Sequence, residues 1–231
     1  MFQGKKKAVT FSYDDGITQD IKFIELLNKY ALKGTFNINS AYLGIVDSFE
    51  KDGKIISHEK VNPRDVKSIY EGHEIAAHTL THPDLTKIKD DDTIVYQVEE
   101  DRKRLSELAG YEVVGMAYPG GNVDRRVKDI IKNKTGIKYA RTVEQTFNFK
   151  LQKDLYAFNP TIHHHGNWDR LFELGREFIE LDAKKDSIFY IWGHTCEFDY
   201  KPEYWDKLEE FFKLISGKDD IFYGTNKEIL L

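Results

Sequence analysis

About seven times along the chain a short apolar run is followed by a segment with helical spacing, and this alternation restricts the fold more than any other feature. The runs are Ala8–Phe11, Gly34–Asn39, Glu74–His78, Val113–Tyr118, Ile137–Val143, Tyr156–Ile162 and Ser187–Trp192, with Ile221–Tyr223 as a last one. Helices are expected over Thr18–Leu32, Pro63–Tyr70, Asp91–Ala109, Asp124–Lys134, Trp168–Ala183 and Pro202–Ile215, where apolar residues recur every three or four positions. Gly34, Gly72 and Gly110 read as helix stops. Residues 40–60 and 144–154 read as irregular, with Asp52-Gly53 as a turn. Strands alternating with helices give a parallel sheet covered by helices.

The residues capable of chemistry fall at the C-terminal ends of the expected strands: Asp14-Asp15, His78, Pro119-Gly120-Gly121, His163-His164 and His194. In a barrel those ends share one face, which is where such folds carry their sites. The expectation is an α/β fold: a distorted (β/α) barrel of about seven parallel strands with outer helices, forming a single domain over 1–231. A doubly wound open sheet is the alternative, but it gathers five strand ends less readily.

Adjacent residues of a regular strand face opposite ways, so Asp14 and Asp15 share a site only if the backbone leaves strand geometry, which Gly16 eases. Both carboxylates remain ionised only beside a cation. A capped turn, with Thr18 as the cap, is the plainer reading. His78 and His82 are four apart, close enough in a helical turn or a tight loop to chelate one ion, and Asp15 would complete a two-histidine, one-carboxylate set. That set suits one divalent metal, zinc first, with cobalt, nickel or iron as alternatives. A pair of surface histidines is the competing reading.

A net charge of −5 lacks the basic surplus of a nucleic-acid binder. A lone Cys196 makes no internal disulfide, and no apolar run approaches the ~18 residues of a membrane span. The run after the N-terminal lysines is too short for a signal-peptide core, so a cytoplasmic location is expected, with removal of a leader from a secreted protein as the alternative.

Tyr13-Asp14-Asp15-Gly16, His78-Thr79-Leu80-Thr81-His82 and Ile191-Trp192-Gly193-His194 resemble, in order and approximate spacing, the signature motifs of polysaccharide deacetylases, carbohydrate esterase family 4. The resemblance covers residues 8 to about 200 and implies metal-dependent removal of N-acetyl groups from acetylated amino sugars or oligosaccharides. It implies Asp14 as general base, Asp15, His78 and His82 as metal ligands, and His194 as general acid. It also implies a backbone N–H of Gly120 or Gly121 as oxyanion donor, with Tyr118 beside them.

Two departures stand out. Alanine occupies the place of the family's third-motif arginine in Met116-Ala117-Tyr118-Pro119-Gly120-Gly121, and Arg141 is the candidate to hold Asp14 instead. Asn159-Pro160-Thr161-Ile162-His163-His164-His165 lacks the acidic residue of the fourth motif. Strand alternation predicts that one of His163 and His164 faces the site, as a substrate contact or extra ligand. Trp168 and Trp192 are candidates for lining an acetyl pocket, and Tyr42, Tyr118 and Tyr200 for stacking on sugar. His58 and His73 read as exposed, and Cys196 as a small buried hydrophobe. A hydrolase of another linear or cyclic amide, or a silent carbohydrate-binding protein, are the alternative functions.

Overall fold

The computed structural model describes residues 2–231. In chain order its elements are β1 (Lys7–Asp14), α1 (Asp20–Lys29), β2 (Gly34–Ile38), β3 (Ser48–Lys51), β4 (Lys54–Ser57), α2 (Val66–Ile69), β5 (Glu74–Ala77), α3 (Asp91–Ala109), β6 (Gly115–Ala117), α4 (Arg125–Lys134), β7 (Tyr139–Arg141), β8 (Ile162–His163), α5 (Trp168–Glu180), β9 (Ser187–Gly193), α6 (Tyr204–Ile215), β10 (Ile221–Tyr223) and α7 (Asn226–Leu230). The strands β7-β6-β5-β2-β1-β9-β8 form a curved parallel sheet with helices around it, the distorted (β/α) barrel expected from the alternation. Every residue of β1 is buried, as a central strand covered on both sides must be. β10 pairs with Lys7–Val9 of β1, below the stretch Phe11–Asp14 that pairs with β2.

The two sheet edges meet through the chain preceding β8. Phe158 donates its N–H to Ala140 C=O (2.9 Å) and accepts from Thr142 N–H (3.0 Å), while Thr161 N–H reaches Tyr190 C=O (2.8 Å). The continuous strand expected over Tyr156–Ile162 is therefore replaced by a 3-10 turn at Leu155–Ala157, a single bridge at Phe158 and a two-residue β8. Pro160, which has no N–H to give a ladder, accounts for the break.

Other expectations are corrected. Residues 40–60 are not irregular throughout: β3 and β4 form a hairpin joined by the expected turn at Asp52 (φ 52°) and Gly53 (φ 77°), both left-handed as a tight hairpin turn requires. Gly34 does not stop α1, which ends at Lys29 with Ala31 left-handed (φ 51°); it opens β2, where a Cβ would stand 2.9 Å from Leu27. Thr18 does not cap α1, whose cap position is Gln19. The short α7 escaped the periodicity reading because five residues show no repeat; Thr225 and Glu228 cap it reciprocally.

Packing between β1 and the outer helices is aromatic, with Phe23 in contact with Phe11, Tyr13, Phe36, Phe198 and Phe212. None of the described helices is long and apolar enough to cross a membrane.

Candidate active site

Asp14 is the last residue of β1 and Arg141 the last of β7, and the barrel points them at each other. Arg141 is 0% exposed, its Nη2 donates to both Asp14 oxygens (2.5 Å to Oδ2), and its Nη1 donates to Thr142 C=O (3.0 Å). The guanidinium lies 4.6 Å from the Trp192 ring centre. Trp192 is thus buried against Arg141 on one side and stacks on His163 on the other. Asn37 Nδ2 adds a bond to Asp14 Oδ1 (2.8 Å). Burial pushes the Asp14 carboxyl up, but the Arg141 charge and hydrogen bond, with the charge of His194, outweigh it and hold Asp14 below the usual carboxylate range.

Asp15 (φ 84°) and Gly16 (φ 61°) are both left-handed, and that turn brings the second carboxylate to the mouth occupied by the first. Asp15 Oδ1 lies 3.9 Å from His78 Nε2 and 3.9 Å from His82 Nε2. Its Oδ2 accepts from His58 Nε2 (3.0 Å), and Lys60 Nζ donates to its backbone carbonyl (3.1 Å). Burial raises the Asp15 carboxyl, but the His58 hydrogen bond and the nearby His194 and Lys60 charges bring it well below its ordinary value.

His78 and His82 sit on a loop that is left-handed at Thr79 (φ 65°) and at His82 (φ 55°), so their convergence comes from a folded loop and not a helical turn. Asp101 of α3 accepts from His78 N–H (3.0 Å) and Ser40 N–H (2.7 Å), and Asn39 Nδ2 donates to Thr79 C=O (2.9 Å); these bonds fix the loop. His78 Nδ1 donates to Ala117 C=O (2.8 Å), which leaves the Nε2 lone pair facing Asp15. Donor atoms of Asp15, His78 and His82 lie within 4.8 Å of one another, and the His82 side chain is 41% exposed toward solvent. Two imidazole nitrogens, one held in the ligating tautomer, and an ionised carboxylate fit a divalent metal of the zinc type.

On the opposite side of the mouth, His194 follows β9 and meets Glu197, a residue the sequence reading did not single out. Glu197 is 6% exposed in the 3-10 turn Thr195–Asp199. It accepts from His194 N–H (3.1 Å) and His163 Nε2 (2.9 Å), and its other oxygen lies 3.4 Å from His194 Nδ1. Burial pulls the His194 imidazole down, but the Glu197 bond and charge, with Asp15 and Asp14, reverse this and raise it to about 9. Burial raises Glu197 in turn, but bonds from His163 and His194 take it well below its ordinary range. The signal available in the sequence was its place three residues after His194 in a tight turn.

The expectation that His163 and His164 face opposite ways is corrected. β8 ends at His163, so strand alternation ends with it, and both rings turn toward Glu197. His164, 1% exposed, is stacked between Tyr13 and Phe198, and burial lowers it to about 3. It does not reach a substrate. Trp168 packs against His164, Phe198 and Tyr204 instead of lining the mouth. Tyr118 is buried and donates its hydroxyl to Tyr156 C=O (2.8 Å), so it offers no stacking face to a sugar. Gly121 spends its N–H on Tyr118 C=O (2.8 Å), which leaves Gly120 as the backbone donor to consider. Gly121 must lack a side chain, since a Cβ would fall 2.3 Å from Val143.

His58 is not a free surface residue, being bonded to Asp15, and His73 is buried, accepting from Gly34 N–H (3.1 Å) and facing Asn28 Oδ1 (3.2 Å). Cys196 is buried against Ile17 and Ile56, as expected. Beside the metal-type cluster lies an open cavity of about 360 Å³ bordered by Asp15, Tyr42, Asp47, His58, Lys60 and His82.

This barrel, with a carboxylate and two histidines gathered at one end, places the chain in a known class of folds. The sequence pattern of the polysaccharide deacetylases matches residues 3–140. The chain belongs to the polysaccharide deacetylase family, that of the carbohydrate esterase 4 deacetylases. A Mycobacterium smegmatis protein provisionally named a polysaccharide deacetylase shares its fold at a TM-score of 0.67 and 18% identity, over 98% of this chain and 89% of that one. A family 4 carbohydrate esterase from Streptomyces lividans, solved with acetate, gives a TM-score of 0.58 and 12% identity, over 96% and 92%. A CE4 family pseudoenzyme from Bacillus anthracis gives 0.60 and 18%, over 99% and 66%. Three further matched structures are of longer proteins, of which this chain spans between 44% and 61%. No curated protein sequence gives a significant match.

Proposed function

We propose that the protein is a metal-dependent hydrolase that removes N-acetyl groups from acetylated amino sugars or their oligosaccharides. The observation that carries this reading is one mouth holding an ionised Asp14 clamped by Arg141, the Asp15–His78–His82 donor set, and a His194 paired with Glu197. Asp15, His78 and His82 would hold a divalent ion, zinc before cobalt, nickel or iron. When bound, such an ion polarises an acyl oxygen and makes water a usable nucleophile near neutral pH.

The chain's own residues supply the rest. Asp14 is positioned to accept a proton from the attacking water, and Arg141 and Asn37 fix its orientation without occupying all of its lone pairs. His194, protonated at neutral pH, donates to the departing amine, and Glu197 stabilises its imidazolium. Gly120 N–H is the donor proposed for the developing oxyanion. The cavity beside His58, Lys60 and Tyr42 is proposed to take the sugar ring. The presence of both the base and the acid favours turnover over a silent binding role.

The test is acetate release from N-acetylglucosamine oligomers of graded length by metal-stripped protein, before and after zinc or cobalt is restored. Release that returns with metal is expected. No release from any oligomer, with one ion bound per chain, would overturn the substrate assignment and favour another amide.

A further inference from the structure

We propose that His163, His164 and Glu197 form a second divalent-cation site, distinct from the Asp15–His78–His82 set. One donor atom from each of the three lies within 4.8 Å of the others. His163 Nε2 and His164 Nε2 face the same carboxylate oxygen, at 2.9 and 3.5 Å. His164 Nε2 is buried and has no hydrogen-bond partner although it points at Glu197, and an orphaned buried nitrogen of this kind is costly. An ion between the three groups would satisfy it.

The surroundings suit that role. His164 Nδ1 lies 3.2 Å from the Tyr13 hydroxyl, to which it can donate, and this frees the Nε2 lone pair for a metal. His163 is held by stacking on Trp192 at 4.3 Å between ring centres, and its side chain is 21% exposed, which gives an entry path. Tetrahedral zinc places its donors ~3.4 Å apart, close to the His164–Glu197 separation, while the His163–Glu197 pair widens slightly as the ion displaces its shared proton. Two imidazoles and one carboxylate select zinc, nickel or copper over magnesium and calcium.

Glu197 is also the partner of His194. An ion on Glu197 Oε2 would draw on the same carboxylate whose Oε1 faces His194 Nδ1, so metal beyond one equivalent should inhibit. This consequence, unlike the site itself, rests on the proposed acid role of His194.

The test is a zinc titration of metal-stripped protein, by calorimetry and by competition with a chromogenic chelator, on the wild type, Asp15→Asn, His163→Gln and the double variant. Asn is chosen because it tolerates the left-handed backbone of position 15. Two ions are expected on the wild type, one on each single variant and none on the double. The cobalt absorption spectrum of Asp15→Asn then reports the second site alone, and circular dichroism confirms that each variant is folded. A single ion on the wild type, lost in Asp15→Asn and kept in His163→Gln, would overturn the second site and leave the deacetylase reading intact. An ion on Asp15→Asn that disappears with His163→Gln would support it even if no substrate were ever hydrolysed.

Discussion

On the β1–β5 side of the mouth, Asp15, His78 and His82 come from two short motifs, and each is held by nearby bonds: His58 on Asp15, Ala117 on His78, Asp101 and Asn39 on the loop. On the β7–β9 side, Arg141, His163, Glu197 and His194 come from three strand ends and a turn; Glu197 holds both histidines, and Arg141 meets His163 only through Trp192. The family match ends at residue 140, one residue before Arg141. The match therefore takes in Asp14 and the Asp15–His78–His82 set and leaves Arg141, His163, His194 and Glu197 outside it. What a catalytic aspartate requires is a cation at its carboxylate, and what an imidazole acid requires is an anion at its far nitrogen. Neither requirement fixes which strand supplies it.

Four substitutions sharpen that contrast. Asp14→Asn should lower acetate release about 10³-fold while zinc binding by calorimetry is unchanged; loss of zinc along with activity would make Asp14 part of the metal side. Arg141→Met leaves a buried, unpaired carboxylate and should cost about 3–5 kcal/mol, read as a lowered Tm. A variant that melts like the wild type would show that the pair does not tie β7 to β1.

His58→Ala removes only the support of a proposed ligand, so zinc affinity should weaken about 10–100-fold with the fold retained. Unchanged affinity would limit the metal side to its two motifs. The mildest effect is expected for Glu197→Gln. With His194 raised to about 9, its protonated form is present below that pH and lost above it, so the rate should fall as pH rises through about 9. Removing the Glu197 charge lowers the imidazole, and the alkaline limb of kcat should move toward neutral pH. A limb that stays in place would separate Glu197 from the acid.

Legibility in the sequence followed locality. The helix expected from about Asp91 to Ala109 agrees with α3 because its end signals are local: a left-handed Gly110 (φ 79°) stops it, and in the structure Asp90 caps its start. Asp14, Asp15, His78, His82 and His194 stood out because their neighbours give them away: an apolar run stopping on charge, or two histidines four apart. Arg141 enters only because alanine stands at the place of the family's third-motif arginine and Arg141 lies near the end of the next expected strand. Glu197 carries only its place three residues after His194 as a signal, and His58 reads as exposed because its partner Asp15 lies 43 positions away.

The sequence by itself determined the alternation of strands and helices, and with it the single face on which the strand ends collect, since hydrophobic period and turn residues are properties of neighbouring positions. The tertiary structure alone decided which partner each charged group receives. Arg141 meets Asp14 across 127 positions, His163 meets Glu197 across 34 and His58 meets Asp15 across 43. Such pairings depend on how the sheet curves to closure at Phe158 and on how the loops fold back over the mouth, and no short stretch of residues encodes that geometry.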